Sequence, residues 1–169
     1  MKTIIVLAMH GTPPKDFPKF QVALTVGLHM WLEHGAGPMR TVLERYHAKL
    51  DTKIRTWPRT AENDPFYTAS QELAAQLSQE TGCEVIVGFN EFCAPSLEQA
   101  FDQAALYGAD RVVVVTPMMT PGGEHAEADI PESIQQARER YPEIDFVYAW
   151  PFGTDKVTRF LAAQIDRFL

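Results

Sequence analysis

The sequence predicts an α/β fold, an open and mainly parallel four-stranded sheet with helices on both faces, carrying an inserted helical pair. Four short apolar runs, Thr3–Ala8, Glu84–Phe89, Arg111–Thr116 and Asp145–Trp150, have the near-continuous hydrophobicity of strands covered on both sides. A helical pattern follows each run, and such β–α alternation implies right-handed crossovers. The length of 169 residues, 46% of them hydrophobic, suits one domain over 1–169 with a sizeable core, and excludes a disordered chain.

The first run is too short for a membrane span and has no small-residue cleavage site after it, so it reads as a buried strand of a soluble cytoplasmic protein. Between it and its crossover helix lies an insertion at about 13–63. The insertion holds two predicted helices, Phe20–Glu33 and Pro38–Ile54, split by Gly35-Ala36-Gly37-Pro38. The first is apolar nearly all round (Val22, Leu24, Val26, Leu28, Met30, Trp31), which predicts that something buries it. Asp64-Pro65 opens the next helix, which runs to Thr81 and stops at Gly82. Pro95–Tyr107 places Leu97, Ala100, Phe101, Ala104 and Ala105 on one face and ends at Gly108. Pro131 opens a helix to Arg140, and Asp129 and Glu132 read as its cap and first-turn acid. Thr154 caps a terminal helix whose Val157, Phe160, Leu161, Ile165 and Phe168 recur near a 3.6 period. Cys83 and Cys93 lack a CxxC spacing and read as small hydrophobes.

The formal charge of −7 argues against nucleic acid or an anionic membrane as a partner. It is unevenly distributed. From Lys15 to Arg59, eight basic residues stand against four acidic ones, a local excess of +4 that leaves −11 on the rest of the chain.

Open α/β sheets gather ligands at the carboxyl ends of their strands. Those ends read His10-Gly11-Thr12, Asn90-Glu91-Phe92-Cys93, Thr116 through Gly122-Gly123-Glu124-His125, and Pro151-Phe152-Gly153. Two of the five histidines thus fall at one edge beside two carboxylates. As neutral imidazoles, His10 and His125 suit a first-row transition ion such as Fe, Co, Ni or Zn. Glu91 and Glu124 either complete the sphere, accept protons, or are plain solvated loop carboxylates. Gly11, Thr12, Gly122 and Gly123 are the candidate backbone positions for a close ligand. His29, His34 and His47, on the inserted helices, read as structural or surface residues. The chain has no G-x-S-x-G elbow, P-loop or G-x-G-x-x-G after a strand, so no nucleotide is expected, and Met9 stands where a phosphohistidine phosphatase would carry Arg.

The strand ending in His10-Gly11, the segment Val87-Gly88-Phe89 followed by Pro95-Ser96-Leu97-Glu98-Gln99-Ala100, and the run Pro121 to Glu132 together resemble the short sirohydrochlorin chelatases, ATP-independent class II enzymes that include the cobalto- and ferrochelatases. The most specific stretch is His125-Ala126-Glu127-Ala128-Asp129-Ile130-Pro131-Glu132. The resemblance covers strand one and most of 66–169, and leaves out the insertion.

It implies a chelatase lobe that pairs with a second lobe, usually as a homodimer, around an acidic tetrapyrrole. It further implies insertion of Co2+, Fe2+ or Ni2+ in cobalamin or sirohaem biosynthesis, with His10 and His125 binding the metal and Glu91 or Glu124 accepting protons. Acid should weaken metal loading, since neutral His is the ligand form. The alternatives are a metal or tetrapyrrole carrier on the same fold and a different metal-dependent enzyme. The insertion would be a lid, a dimerisation arm or a plug. Its Arg and Lys residues (Arg40, Arg45, Lys53, Arg55 and Arg59 among them) would neutralise substrate carboxylates, and Trp57 and Phe17 could stack on the ring, with Trp31 read as core.

Overall fold

A computed structural model describes residues 1–34 and 36–169, with Glu33 and His34 described in their backbone only. Of the predicted helix-splitting turn, Gly35 therefore lies outside the described residues, as does the His34 side chain. The strands β1 (Thr3–Met9), β2 (Glu84–Phe89), β3 (Arg111–Val115) and β4 (Asp145–Tyr148) form one sheet in the order β2-β1-β3-β4. Every pairing is parallel. The helices are α1 (Lys19–His34), α2 (Arg40–Arg55), α3 (Pro65–Thr81), α4 (Leu97–Leu106), α5 (Ile130–Arg140) and α6 (Thr154–Ile165).

Alternate residues of a strand point to opposite faces, and β1 therefore feeds two cores. Ile4, Val6 and Ala8 pack with Phe101 of α4 and Ile130 and Ile134 of α5. Leu7 and Met9 pack on the other face with Phe89 and with Ala74 of α3. Gly88 allows α4 its approach, because a Cβ there would lie 2.9 Å from Leu97 Cδ2 and 3.0 Å from the Ala100 Cβ.

The helix boundaries follow local chemistry. Asp64 accepts from the Tyr67 N–H with Pro65 in the first turn, and Gly82, at φ 67°, closes α3. Ser96 and Gln99 form a reciprocal capping box on α4.

Three expectations are overturned. The first inserted helix is not buried: α1 leaves Met30 63% and Trp31 39% exposed, because it packs chiefly on α2 and not into the sheet. Trp31 is therefore not a core residue. The apolar face of α6 is likewise uncovered, with Phe160 60% and Ile165 54% exposed, and Thr154 is its first helical residue without a side-chain cap. Among the described residues, no helix is long and apolar enough to cross a membrane.

Candidate metal centre

The sheet order places β1 at the centre, with the chain turning to β2 on one side and to β3 on the other. At such a switch point the strand ends diverge and leave a crevice. Met9 pairs with Phe89, and the ladder continues past the strands: the Asn90 N–H donates to Met9 O and the Glu91 N–H to His10 O, each at 2.9 Å. This sets Glu91 beside His10.

Gly11, at φ 95°, makes the fit possible. A Cβ there would stand 1.9 Å from the Glu91 carbonyl oxygen. Gly11→Ala is expected to cost more than about 2 kcal/mol, left-handed strain plus a backbone clash, and to weaken metal binding by displacing Glu91. A thermal melt and a Co2+ titration read the two effects, and wild-type values in both would refute this account of the turn.

The third element is the segment after β3. Gly122, at φ 94°, donates its N–H to Glu127 Oε1, and the Gly123 carbonyl accepts from Ala126 and Glu127. The chain then makes a single π turn over His125–Asp129, with the Ile130 N–H donating to His125 O, and runs straight into α5. Tyr148, at the end of β4, donates its hydroxyl to Ala126 O in this turn at 2.9 Å. Burial pushes the Tyr148 phenol up to about 12, so it stays a donor.

The His10 and His125 rings lie 4.6 Å apart, centroid to centroid. Ligand atoms of His10, Glu91 and His125 all fall within 4.8 Å of one another, close enough to hold a metal ion together. His125 Nε2 is 3.8 Å from Glu91 Oε1, while its Nδ1–H donates to Asp129 Oδ2 at 2.5 Å. Asp129 thereby leaves the Nε2 lone pair facing Glu91, the arrangement by which carboxylates orient metal-binding imidazoles. Asp129 was expected to cap α5, yet it makes no cap hydrogen bond. The signal for its true partner is the i, i+4 spacing from His125, usable only if 125–129 is helical.

Glu124 is exposed and stands outside the three-residue cluster. Thr12 is engaged with the scaffold: its hydroxyl donates to Asp64 Oδ1 and its carbonyl accepts from Arg59. Cys93 is fully buried, and desolvation pushes its thiol up to about 11, so it is inert as expected.

Arg55 and Arg59 of the insertion have a different role from the one expected, whereas Arg40 and Arg45 stand exposed on α2. Arg55 donates to Asn90 O at 2.9 Å and to Cys93 O at 2.8 Å, and pairs with Asp51 at 2.7 Å. Arg59 donates to Phe92 O and Ile54 O and forms an ion pair with Asp64, both side chains at most 5% exposed. Two arginines thus grip the carbonyls around Glu91, including that of Phe92 at φ 54°. Lys53 donates to Gln21 Oε1 and lies over the rings of Phe17 and Trp57. Phe17 is buried edge-on against Trp57, whose indole N–H donates to Asp16. These groups position the loop and pack the insertion, and Arg59 and Phe17 are buried away from a macrocycle.

Between the α1–α2 hairpin and the sheet edge lies a cleft of about 530 Å³, with Glu91 and Asp129 in its wall. His29 and His47 line the hairpin side, their rings 5.7 Å apart. Burial is the main cause holding the His47 imidazole below its ordinary value, with Asp51 opposing and His29 and Arg55 adding to the fall.

Residues 62–167 match the family model CbiX. The chain is 41% identical over 70 residues to the sirohydrochlorin ferrochelatase of Priestia megaterium, a match covering 41% of this chain and 26% of that protein. It is 31% identical over 125 residues to the sirohydrochlorin cobaltochelatase of Methanopyrus kandleri, covering 61% of this chain and 85% of that one. The chain spans 26%, 21% and 35% of the length of three curated relatives from bacilli, the ferrochelatase above being the first. In fold it is similar to a crystal structure of a CbiX protein from Marinobacter aquaeolei, with a TM-score of 0.54 at 14% identity over 98% of this chain and 94% of that one. The matched residues contain Glu91, His125 and Asp129, and leave out β1 and the α1–α2 hairpin. With well over half of its residues in that match, and a relative more than 30% identical across 85% of that relative's length, the chain belongs to the CbiX family.

Proposed function

We propose that this protein inserts a divalent first-row metal, Co2+ or Fe2+ with Ni2+ as a further candidate, into sirohydrochlorin or a related acidic tetrapyrrole. The observation that carries the reading is the convergence of His10, Glu91 and His125 on one point at the sheet's carboxyl edge. In this reading the whole chain is one domain with an inserted helical hairpin. The metal is substrate. Neutral His10 and His125 hold it by their nitrogens, and Glu91 supplies the oxygen. Transfer to the macrocycle breaks the metal's bonds to His10, His125 and Glu91, forms four metal–nitrogen bonds and releases two pyrrole protons. Glu91, beside both rings, takes one by position once it has let go of the metal, and the other passes to solvent. Glu124, outside the cluster, is the weaker candidate for that role.

Asp129 keeps the His125 proton on Nδ1, so Nε2 is a lone-pair donor to the metal and not a competing acid. Gly122 and Gly123 set the bend that leads into the π turn. Gly11 brings the Glu91 backbone close, and Thr12 ties the first loop to Asp64. A homodimer is part of the proposal, and the uncovered face of α6 is the apolar surface that a second copy would cover.

The test is optical. Protein, sirohydrochlorin and Co2+ or Fe2+ are mixed anaerobically, and the macrocycle spectrum is followed. Multiple turnovers above the spontaneous rate support the chelatase. Stoichiometric binding of metal or macrocycle without turnover assigns a carrier and rejects the enzyme.

A further inference from the structure

We propose that His29 and His47 form a second divalent-metal site, in the cleft wall of the α1–α2 hairpin, which captures the ion and passes it to Glu91. The role in delivery rests on the metal-insertion reading above, whereas the binding itself does not.

The pair has the right chemistry and spacing. Its rings are 5.7 Å apart between centroids and inclined by 25°. Two imidazoles on one ion at about 2.1 Å per nitrogen bring their centroids to ~5 Å, within a small rotamer adjustment. Imidazoles select first-row transition ions over Mg2+ or Ca2+. Asp51, one turn after His47 on α2, lines the same cleft and adds negative charge near the pair, its own carboxylate being held by Arg55.

The rest of the wall favours a cation. Among the described residues lining the cleft, Asp51, Glu91, Glu98, Asp129 and Glu132 stand against a single guanidinium, Arg55. Arg55 is itself bonded to Asp51 and to two loop carbonyls. Low-dielectric walls of one sign concentrate counter-ions. The same walls repel a polycarboxylate macrocycle.

The topology of the site follows. Glu91 belongs both to the cleft lining and to the His10–Glu91–His125 cluster, whereas His10 and His125 do not line the cleft. His10 is exposed on the open edge. Metal therefore reaches Glu91 from the cleft side while the macrocycle approaches from the His10 side, so the two substrates do not compete for one entrance.

The decisive measurement is a Co2+ titration of the metal-free full chain with no tetrapyrrole present, followed by d–d absorption and calorimetry. Wild type is expected to bind two ions per chain. His29→Ala/His47→Ala and His10→Ala/His125→Ala should each bind one, and the fourfold variant none. Wild-type stoichiometry in the His29/His47 variant overturns the site. As a check that needs no substitution, Co2+ at saturation should broaden the ring signals of His29 and His47 in the unaltered protein. Unbroadened rings overturn the site whatever the variants do.

Delivery is read separately. The KM for Co2+ should rise at least about fivefold in His29→Ala/His47→Ala with the tetrapyrrole KM unchanged. An unchanged metal KM overturns the delivery role. A protein that binds two ions and turns over no macrocycle overturns the chelatase reading and keeps the site.

Discussion

His125→Ala is expected to lower the rate of metal insertion by about 100-fold or more, because it removes a ligand, whereas loss of an orienting partner alone costs about 10–100-fold. Asp129→Asn should fall in that smaller range. It keeps the shape of Asp129 but weakens the hold on His125 Nδ1–H, so the imidazole loses its orientation toward Glu91. The π turn should survive both changes, since Tyr148 and the Gly123 carbonyl still anchor it. Initial rates at saturating tetrapyrrole, with circular dichroism for the fold, check the pair. A loss under about threefold in His125→Ala would remove the metal role from the cluster.

The largest effect on stability is expected at Arg59. Its side chain is 5% exposed and that of Asp64 is 0% exposed, so Arg59→Leu strands a buried carboxylate. Removing one partner of a buried pair costs about 3–5 kcal/mol. At 2–4 °C per kcal/mol for a chain of this size, Tm should drop by roughly 10 °C. The variant also loses the donors to Ile54 O and Phe92 O, so the Glu91 loop should loosen together with the fold. Arg159→Ala is the control. Its i, i+4 partner is Asp155, both side chains are more than 60% exposed, and such a pair should leave Tm nearly unchanged. Equal Tm values for the two variants would remove the Arg59–Asp64 pair as the anchor of the insertion.

The parts of the fold that were legible are those where a signal lies within a few residues. A parallel strand buried on both faces needs a continuous apolar run, and β2 has the bounds its run predicts, Glu84–Phe89. Helix ends were legible where a cap lies in sequence contact, as at Asp64-Pro65 and Gly82. The Ser96–Gln99 box, which starts α4 two residues after the expected Pro95, was not anticipated. His10, Glu91 and His125 could be gathered from sequence because α/β topology itself collects strand ends at one edge. Asp129 was not, because its pairing needs 125–129 to be helical, and the glycines before it read as a loop.

The insertion was the least legible segment, and its charges show why. Arg55 and Arg59 bond to carbonyls 33–47 residues away along the chain, whose positions exist only once the loops after β1 and β2 have met. A local excess of positive charge says how many cations there are, and nothing about which acceptors desolvate them. For the same reason the apolar repeat of α1 and α6 predicts a helix but not its cover. By itself, then, the sequence determined the strands, the two ends of α3 and the edge where two histidines would meet, because these depend on short-range periodicity and on connection rules. The tertiary structure alone decided that Asp129 orients His125, that the arginines hold the Glu91 loop, and that an acidic cleft opens behind it. Each of these depends on distances between segments far apart in the chain, set by packing.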